Sequence, residues 1–243
     1  GWRVAAELER KPGETVAGLG PWPGDAVIAT IRNKNETTSP TIAIVEGTPT
    51  APLPKFPAGG VGAHFDFAST LTGEAFGVWD LDRIDGGVVV MNWPAGSVQS
   101  RSVVVPGLRC SSELPSSPRL LVRSAREVYV PLENATDIPS DFFVRVLRFD
   151  GSSWVTSTTI ERARGPEDYA MTPDGAVWVL VTGEDPEDWS TWPEIWRRAP
   201  GPSDRWEQIV PDVVGRNGGL RASAIMGAGH QDLYFAGALE GLG

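Results

Sequence analysis

The chain has 243 residues, a net charge of -10 and no run of lysine or arginine. An acidic chain of this kind lacks the electrostatic footprint needed to bind nucleic acid or an anionic membrane, so we expect neither partner. Its single cysteine excludes an internal disulfide. Abundant glycine (28), proline (21) and tryptophan (10) are typical of strands joined by tight turns and packed through large aromatic rings.

Short runs of β-branched and aromatic residues, bounded by turn signals, predict strands in the first half of the chain. An isolated strand is predicted at residues 2–8. Two groups of four follow, at residues 15–19, 26–31, 41–45 and 51–56, and at residues 64–69, 75–79, 88–93 and 98–105.

The second half of the chain continues this pattern with two further groups of four strands and one group of two. They are predicted at residues 120–124, 128–132, 142–149 and 154–160, then 168–172, 177–182, 194–198 and 206–210, then 220–226 and 233–238.

The pattern recurs about every fifty residues, which is typical of β-propeller blades. The residues that open the second strands are separated by 49, 53, 49 and 56 positions: Asp25, Glu74, Glu127, Ala176 and Asp232. The glycines that end the third strands give a second register, with intervals of 49, 55 and 50: Gly47, Gly96, Gly151 and Gly201. The sequence therefore predicts a repeat protein.

We predict an all-β single domain over residues 1–243, folded as a five-bladed β-propeller of four-stranded antiparallel blades. Since the last group has only two strands, residues 2–8 are predicted to supply its outer strand and to close the ring. The alternative is a larger propeller, of which this chain contains five blades.

The sequence motifs of the repeats resemble those of a known class of proteins. Asp150-Gly-Ser-Ser-Trp154, followed by Pro173-Asp-Gly-x-x-Trp-Val179, is similar to the bacterial propeller repeats of uncharacterised surface proteins and sensor modules. The resemblance covers nearly the whole chain and implies a fold without an activity. It makes an extracytoplasmic or secreted location the expectation.

No metal-ligand, nucleophile-elbow or phosphate-loop motif occurs in the sequence, so we expect no cofactor. One group of carboxylates, Asp80, Asp82 and Asp85, has a spacing one residue longer than that of a calcium-binding loop. A Ca²⁺ site is one hypothesis for these residues, and an ordinary Asp-Gly turn is the favoured alternative.

The loops that join second and third strands are predicted to open on one face, here called the rim. Their formal charges are +1, -2, -3 and -4 for residues 32–40, 80–86, 133–141 and 183–193. Tryptophans beside carboxylates suit a sugar or a cationic ligand, whereas a solvated acidic rim is the plainer alternative. The candidate ligand-binding residues are Glu133, Asp137, Asp185, Glu187, Asp188, Trp189 and Trp192.

The first strand of each group is expected to lie nearest the propeller axis. Asp66, Arg119 and Asp168 share one register at the start of three successive first strands. They lie eight positions before Glu74, Glu127 and Ala176. Two carboxylates facing each other across a channel, with an arginine between them, are the groups that a glycoside hydrolase uses. An ion network that holds the blades together is the alternative.

The function predicted from these features is a non-catalytic recognition module that binds a carbohydrate or protein ligand through the rim. A glycoside hydrolase or lyase with Asp66, Arg119 and Asp168 at the axis is the first alternative. A purely structural repeat domain is the second.

Overall fold

A computed structural model describes residues 11–33, 40–56, 65–81, 87–110, 120–135, 141–184, 191–201, 204–209, 219–227 and 233–240. The chain divides into two compact units, Gly1–Cys110 with Ser117–Val128, and Ser111–Ser116 with Tyr129–Gly243. The described ranges contain no α-helix, and their regular elements are strands in antiparallel sheets. The prediction of an all-β chain is confirmed.

The first unit contains two antiparallel sheets in which consecutive strands pair. Sheet 1 consists of β1 (Glu14–Trp22), β2 (Ala26–Asn33) and β3 (Thr41–Glu46). Sheet 2 consists of β4 (Phe65–Ser69), β5 (Ala75–Asp80), β6 (Gly87–Trp93) and β7 (Arg101–Pro106). The short strands β8 (Leu108–Arg109) and β9 (Leu121–Ser124) follow.

The boundary between the units falls inside β10 (Glu127–Asn134), whose start forms a hairpin with β9. Sheet 3 continues from β10 to β11 (Phe143–Phe149) and β12 (Trp154–Glu161). Sheet 4 consists of β13 (Ala163–Met171), β14 (Val177–Glu184), β15 (Thr191–Arg198) and β16 (Trp206–Ile209). Sheet 5 is the pair β17 (Gly219–Gly227) and β18 (Leu233–Glu240).

The strand predicted at residues 51–56 is wrong, because this segment is irregular. Pro52 and Pro54 carry no backbone N–H and so cannot donate to a ladder. Phe56, at the end of this segment, packs in an aromatic cluster. The centroid of the Phe56 ring lies 5.2 Å from that of Trp93 and 5.6 Å from that of Phe65. The region serves as packing between sheets 1 and 2 rather than as an outer strand.

Other boundaries also differ from those predicted. The strand expected at residues 98–105 begins only at Arg101, and β8 was not predicted. The strand expected at residues 168–172 is the end of the longer β13. The strand predicted at residues 2–8 lies outside the described residues.

Two turns of identical construction lead from first to second strands, at Thr70–Glu74 and Thr172–Ala176. In each, the threonine N–H donates to the carbonyl of the fifth residue at 2.9 Å, and the glycine N–H donates back to the threonine carbonyl. The threonine hydroxyl oxygen also accepts from the N–H of the fifth residue, at 3.2 Å for Glu74 and 2.9 Å for Ala176. The Asp174-Gly175 pair before β14 therefore forms a turn that is held by Thr172.

The glycines of the second register share one backbone conformation. Gly47, Gly96, Gly151 and Gly201 have φ values of 76°, 73°, 100° and 114°, in the left-handed region that favours glycine. Beside Gly151, the backbone N–H groups of Ser153 and Ser152 and the Ser152 hydroxyl donate to Asp150 Oδ1. These bonds lower the pKa of Asp150 to about 2.

In the second unit, apolar and charged groups fill the spaces between sheets. A cluster of Ala176, Trp178, Leu180, Ile195 and Ile225 joins sheet 4 to sheet 5.

Between sheets 3 and 4, the buried Arg198 donates from Nε to Asp204 Oδ1 (3.0 Å) and from Nη2 to the Gly201 carbonyl (2.8 Å). Its guanidinium lies 5.4 Å from the centre of the Tyr129 ring. This arrangement compensates the buried charge.

Candidate functional site

The structure describes five of the predicted site residues: Asp66, Asp80, Glu133, Asp168 and Trp192. The remaining ones lie outside the described residues: Asp82, Asp85, Arg119, Asp137, Asp185, Glu187, Asp188 and Trp189.

Asp66 and Asp168 make the same contact, each within its own unit. Asp66, opposite Val78 in sheet 2, accepts from the backbone N–H of Leu120 at 2.5 Å, directly before β9. Asp168, opposite Leu180 in sheet 4, accepts from the backbone N–H of Ile225 on β17 at 2.8 Å. Each carboxylate thus accepts from backbone that lies in, or directly before, the first strand of the following sheet. These contacts are hydrogen bonds to backbone N–H groups, and Arg119, the cation of the predicted ion network, lies outside the described residues.

Asp80 ends β5 and is engaged by a backbone group. Its Oδ1 accepts from the N–H of Cys110 at 2.6 Å, and the Cys110 side chain is a buried thiol outside any disulfide. Within the described part of the chain, no group of three or more His, Cys, Asp or Glu side chains is placed to hold a metal ion. The Ca²⁺ site at Asp80, Asp82 and Asp85 stays a prediction, because Asp80 is the one of these three residues that the structure describes.

The rim loop after β10 is anchored by an asparagine that the sequence did not single out. Asn134 Nδ2 donates to the Asp141 carbonyl at 2.6 Å, and Asn134 Oδ1 accepts from the Phe143 N–H at 3.2 Å. These two bonds join the end of β10 to the start of β11. Glu133, directly before Asn134, is buried.

The rim end of sheet 4 carries three alternating side chains of β15: Trp192, Glu194 and Trp196. The indole N–H of Trp192 donates to Glu194 Oε1 at 3.0 Å, and that of Trp196 donates to Glu194 Oε2 at 2.9 Å. All three side chains are partly exposed. Because residues at i, i+2 and i+4 of a strand share one face, the Trp-x-Glu-x-Trp spacing could have revealed this arrangement.

Trp192 lies across the sheet from Gly183. A Cβ at Gly183 would approach Trp192 Nε1 and Glu194 Oε1 to 2.7 Å each, so a larger residue there would displace the indole or the carboxylate. The absence of a side chain at Gly183 therefore lets the indole settle on the backbone of β14.

On the neighbouring strand, Glu184 is buried at the rim end of β14. Its backbone N–H donates to the carbonyl of Arg162 at 3.0 Å. Arg162 forms the turn between β12 and β13 with a φ of 56°, which is unusual for a residue other than glycine. Glu184 belongs to the acidic loop predicted at residues 183–193, and nothing in the sequence indicated that it would be buried.

Comparisons with protein-family models and with curated proteins found no match for this chain. Among the described residues, no helix has the length and hydropathy needed to cross a lipid bilayer.

Proposed function

We propose that the chain is a five-bladed β-propeller, with sheets 1 to 5 as its blades and residues 2–8 as the outer strand that closes the ring beside β18. Three recurring features support this architecture: the left-handed glycines after the third strands, the two threonine turns, and the carboxylate bonds of Asp66 and Asp168. Each lies at an equivalent place in its sheet, as expected for blades of one design.

We further propose that this propeller is a non-catalytic recognition module that needs no cofactor. It binds a carbohydrate or protein ligand through the rim, and its setting is extracytoplasmic or secreted. The observation that carries this proposal is the state of Trp192, whose ring is partly exposed while its N–H is already bound to Glu194. An aromatic ring held in place before the ligand arrives loses little freedom on binding.

The chemistry around Trp192 fits this role. A fixed indole beside a carboxylate can stack on a sugar ring while the carboxylate accepts hydrogen bonds from sugar hydroxyls. The same ring attracts a cationic group through its π-face.

The test is a binding screen against oligosaccharides and cationic peptides, with Trp192→Ala, Trp192→Phe and Gly183→Ala. We expect Trp192→Ala to weaken binding at least about fivefold, because stacking on an aromatic ring is worth roughly 1 kcal/mol or more. Trp192→Phe keeps a ring and should retain most of the affinity. Gly183→Ala should weaken binding by displacing the indole.

The matched control is Trp206→Phe. Trp206 lies at the opposite end of sheet 4, where its N–H donates to Ser157 Oγ at 2.9 Å. This substitution should leave affinity unchanged. A Trp192→Ala protein that binds normally but unfolds at a much lower temperature would make the ring a packing element and overturn the proposal.

A further inference from the structure

The Glu184 side chain has a carboxylate oxygen with no hydrogen-bond donor in the described part of the surrounding protein. The residue is 6% exposed, and its Oε2 is buried without a hydrogen-bond partner. The backbone on either side is fixed, by the bond to the Arg162 carbonyl and by the pairing of Glu184 with Thr191. A carboxylate held in this way is costly to bury, and such groups often mark a functional site.

The neighbouring polar groups on β14 and β13 leave this oxygen unsatisfied. Thr182, two residues earlier and on the same side of β14, donates its hydroxyl to Glu167 Oε1 at 2.7 Å. Arg162 has an exposed side chain and forms no ion pair with Glu184. Among the described residues, Oε2 of Glu184 therefore has no hydrogen-bond donor.

The sequence around Glu184 adds negative charge. From Glu184 to Trp192 the chain contains three further acids, Asp185, Glu187 and Asp188, and no base. In composition, this stretch of sequence favours a cationic ligand over a neutral one, because a cation adds electrostatic attraction to the hydrogen bond.

We propose that Glu184 is the anchor for an ammonium or guanidinium group of the recognised ligand, an inference that rests on the recognition function proposed above. The cation would donate a charge-assisted hydrogen bond to Oε2 and so give this buried oxygen the partner it lacks. A divalent metal is the poorer occupant, since the described residues offer no set of three ligands. The ligand class is thus an organic cation, as on a basic peptide or a polyamine.

The experiment is calorimetric titration of the full chain with four probes: an arginine- and lysine-containing peptide, spermidine, CaCl₂ and a neutral oligosaccharide. Each probe is titrated into the unaltered protein, Glu184→Gln, Glu161→Gln and Trp192→Ala. Glu161 is an exposed acid at the same end of β12, so its substitution removes the same charge without touching a buried oxygen. Glu184→Asp serves as a second variant that keeps the charge.

We expect the peptide or spermidine to bind the unaltered protein and to lose at least about tenfold in affinity with Glu184→Gln, because the amide oxygen can still accept a hydrogen bond but the carboxylate charge that strengthens it is gone. Glu161→Gln should stay within about twofold, since an exposed charge contributes little. The bound cation should also raise the unfolding temperature of the unaltered protein more than that of Glu184→Gln.

Three results would overturn the inference. The first is a neutral oligosaccharide whose binding depends on Trp192 but not on Glu184, which would leave the recognition function standing. The second is binding of Ca²⁺ alone that is lost with Glu184→Gln. The third is a Glu184→Gln protein that is more stable than the unaltered protein and binds every probe normally. In that case the ligand does not contact Oε2, and a water molecule is its hydrogen-bond donor. Failure of the recognition function differs from all three, because then no probe depends on Trp192.

Discussion

Asp168 illustrates how a side chain can occupy a predicted register and still have an unpredicted partner. The fifty-residue period placed Asp66 and Asp168 at equivalent positions, and the structure places both opposite the second strand at matching sites. Their partners, Leu120 and Ile225, lie 54 and 57 residues further along the chain. No local pattern in a single sequence identifies a partner at that distance, nor the face of the strand on which a side chain lies.

The contact of Asp168 gives a prediction for stability. Asp168→Ala should lower the free energy of unfolding by about 1–3 kcal/mol, because the buried N–H of Ile225 loses its acceptor. Asp168→Asn should cost less, since its amide oxygen can still accept. Urea unfolding measures both, with Glu161→Ala as an exposed control.

The hydrolase hypothesis makes a different prediction for the same residue. If Asp168 were a catalytic acid or nucleophile, Asp168→Asn would remove glycosidase activity from a protein of unchanged stability. An unfolding curve of Asp168→Ala that coincides with that of the unaltered protein would contradict the structural role.

At the level of elements, the sequence predicted the second strands well and the connections poorly. The run at residues 75–79 corresponds to β5 (Ala75–Asp80), because its apolar residues are buried between turn signals that fix both ends. The extended start of β13 was missed, since it follows a left-handed turn made by Arg162 rather than by a glycine. The apolar content of residues 51–56 indicated a strand, but their prolines prevented one.

The side chains of the rim could not be predicted for a similar reason. The acidic loops could be predicted from charge, but the pairing of Glu194 with two tryptophans and the burial of Glu184 depend on how β14 and β15 pack. A single sequence does not specify that packing.

The glycines that end the third strands give a ranked prediction. Gly96→Ala should cost about 1 kcal/mol, because a Cβ there meets no atom within 4 Å and only the left-handed backbone is strained. Gly47→Ala should cost more, since its Cβ would also clash with the Asp25 carbonyl. Chemical unfolding of the two variants measures the difference. Equal losses in the free energy of unfolding would contradict this ranking, because they would show that the backbone at Asp25 moves aside at no cost.

For the whole molecule, the proposed architecture is a ring of five similar sheets closed by residues 2–8. A strand at the edge of a sheet has unpaired backbone groups, and closure would satisfy those of β18. The rim can present several loops to one ligand only if the sheets share an axis, so recognition through the whole rim depends on this closure.

Closure by residues 2–8 can be tested by hydrogen exchange of β18, with the full chain compared to a chain lacking residues 1–10. We expect the deletion to remove protection from alternate amides of Leu233–Glu240 and to leave β5 unchanged, and we expect a synthetic peptide of residues 1–10 to restore the protection. Unchanged protection of β18 in the shortened chain would contradict closure by the N-terminal strand.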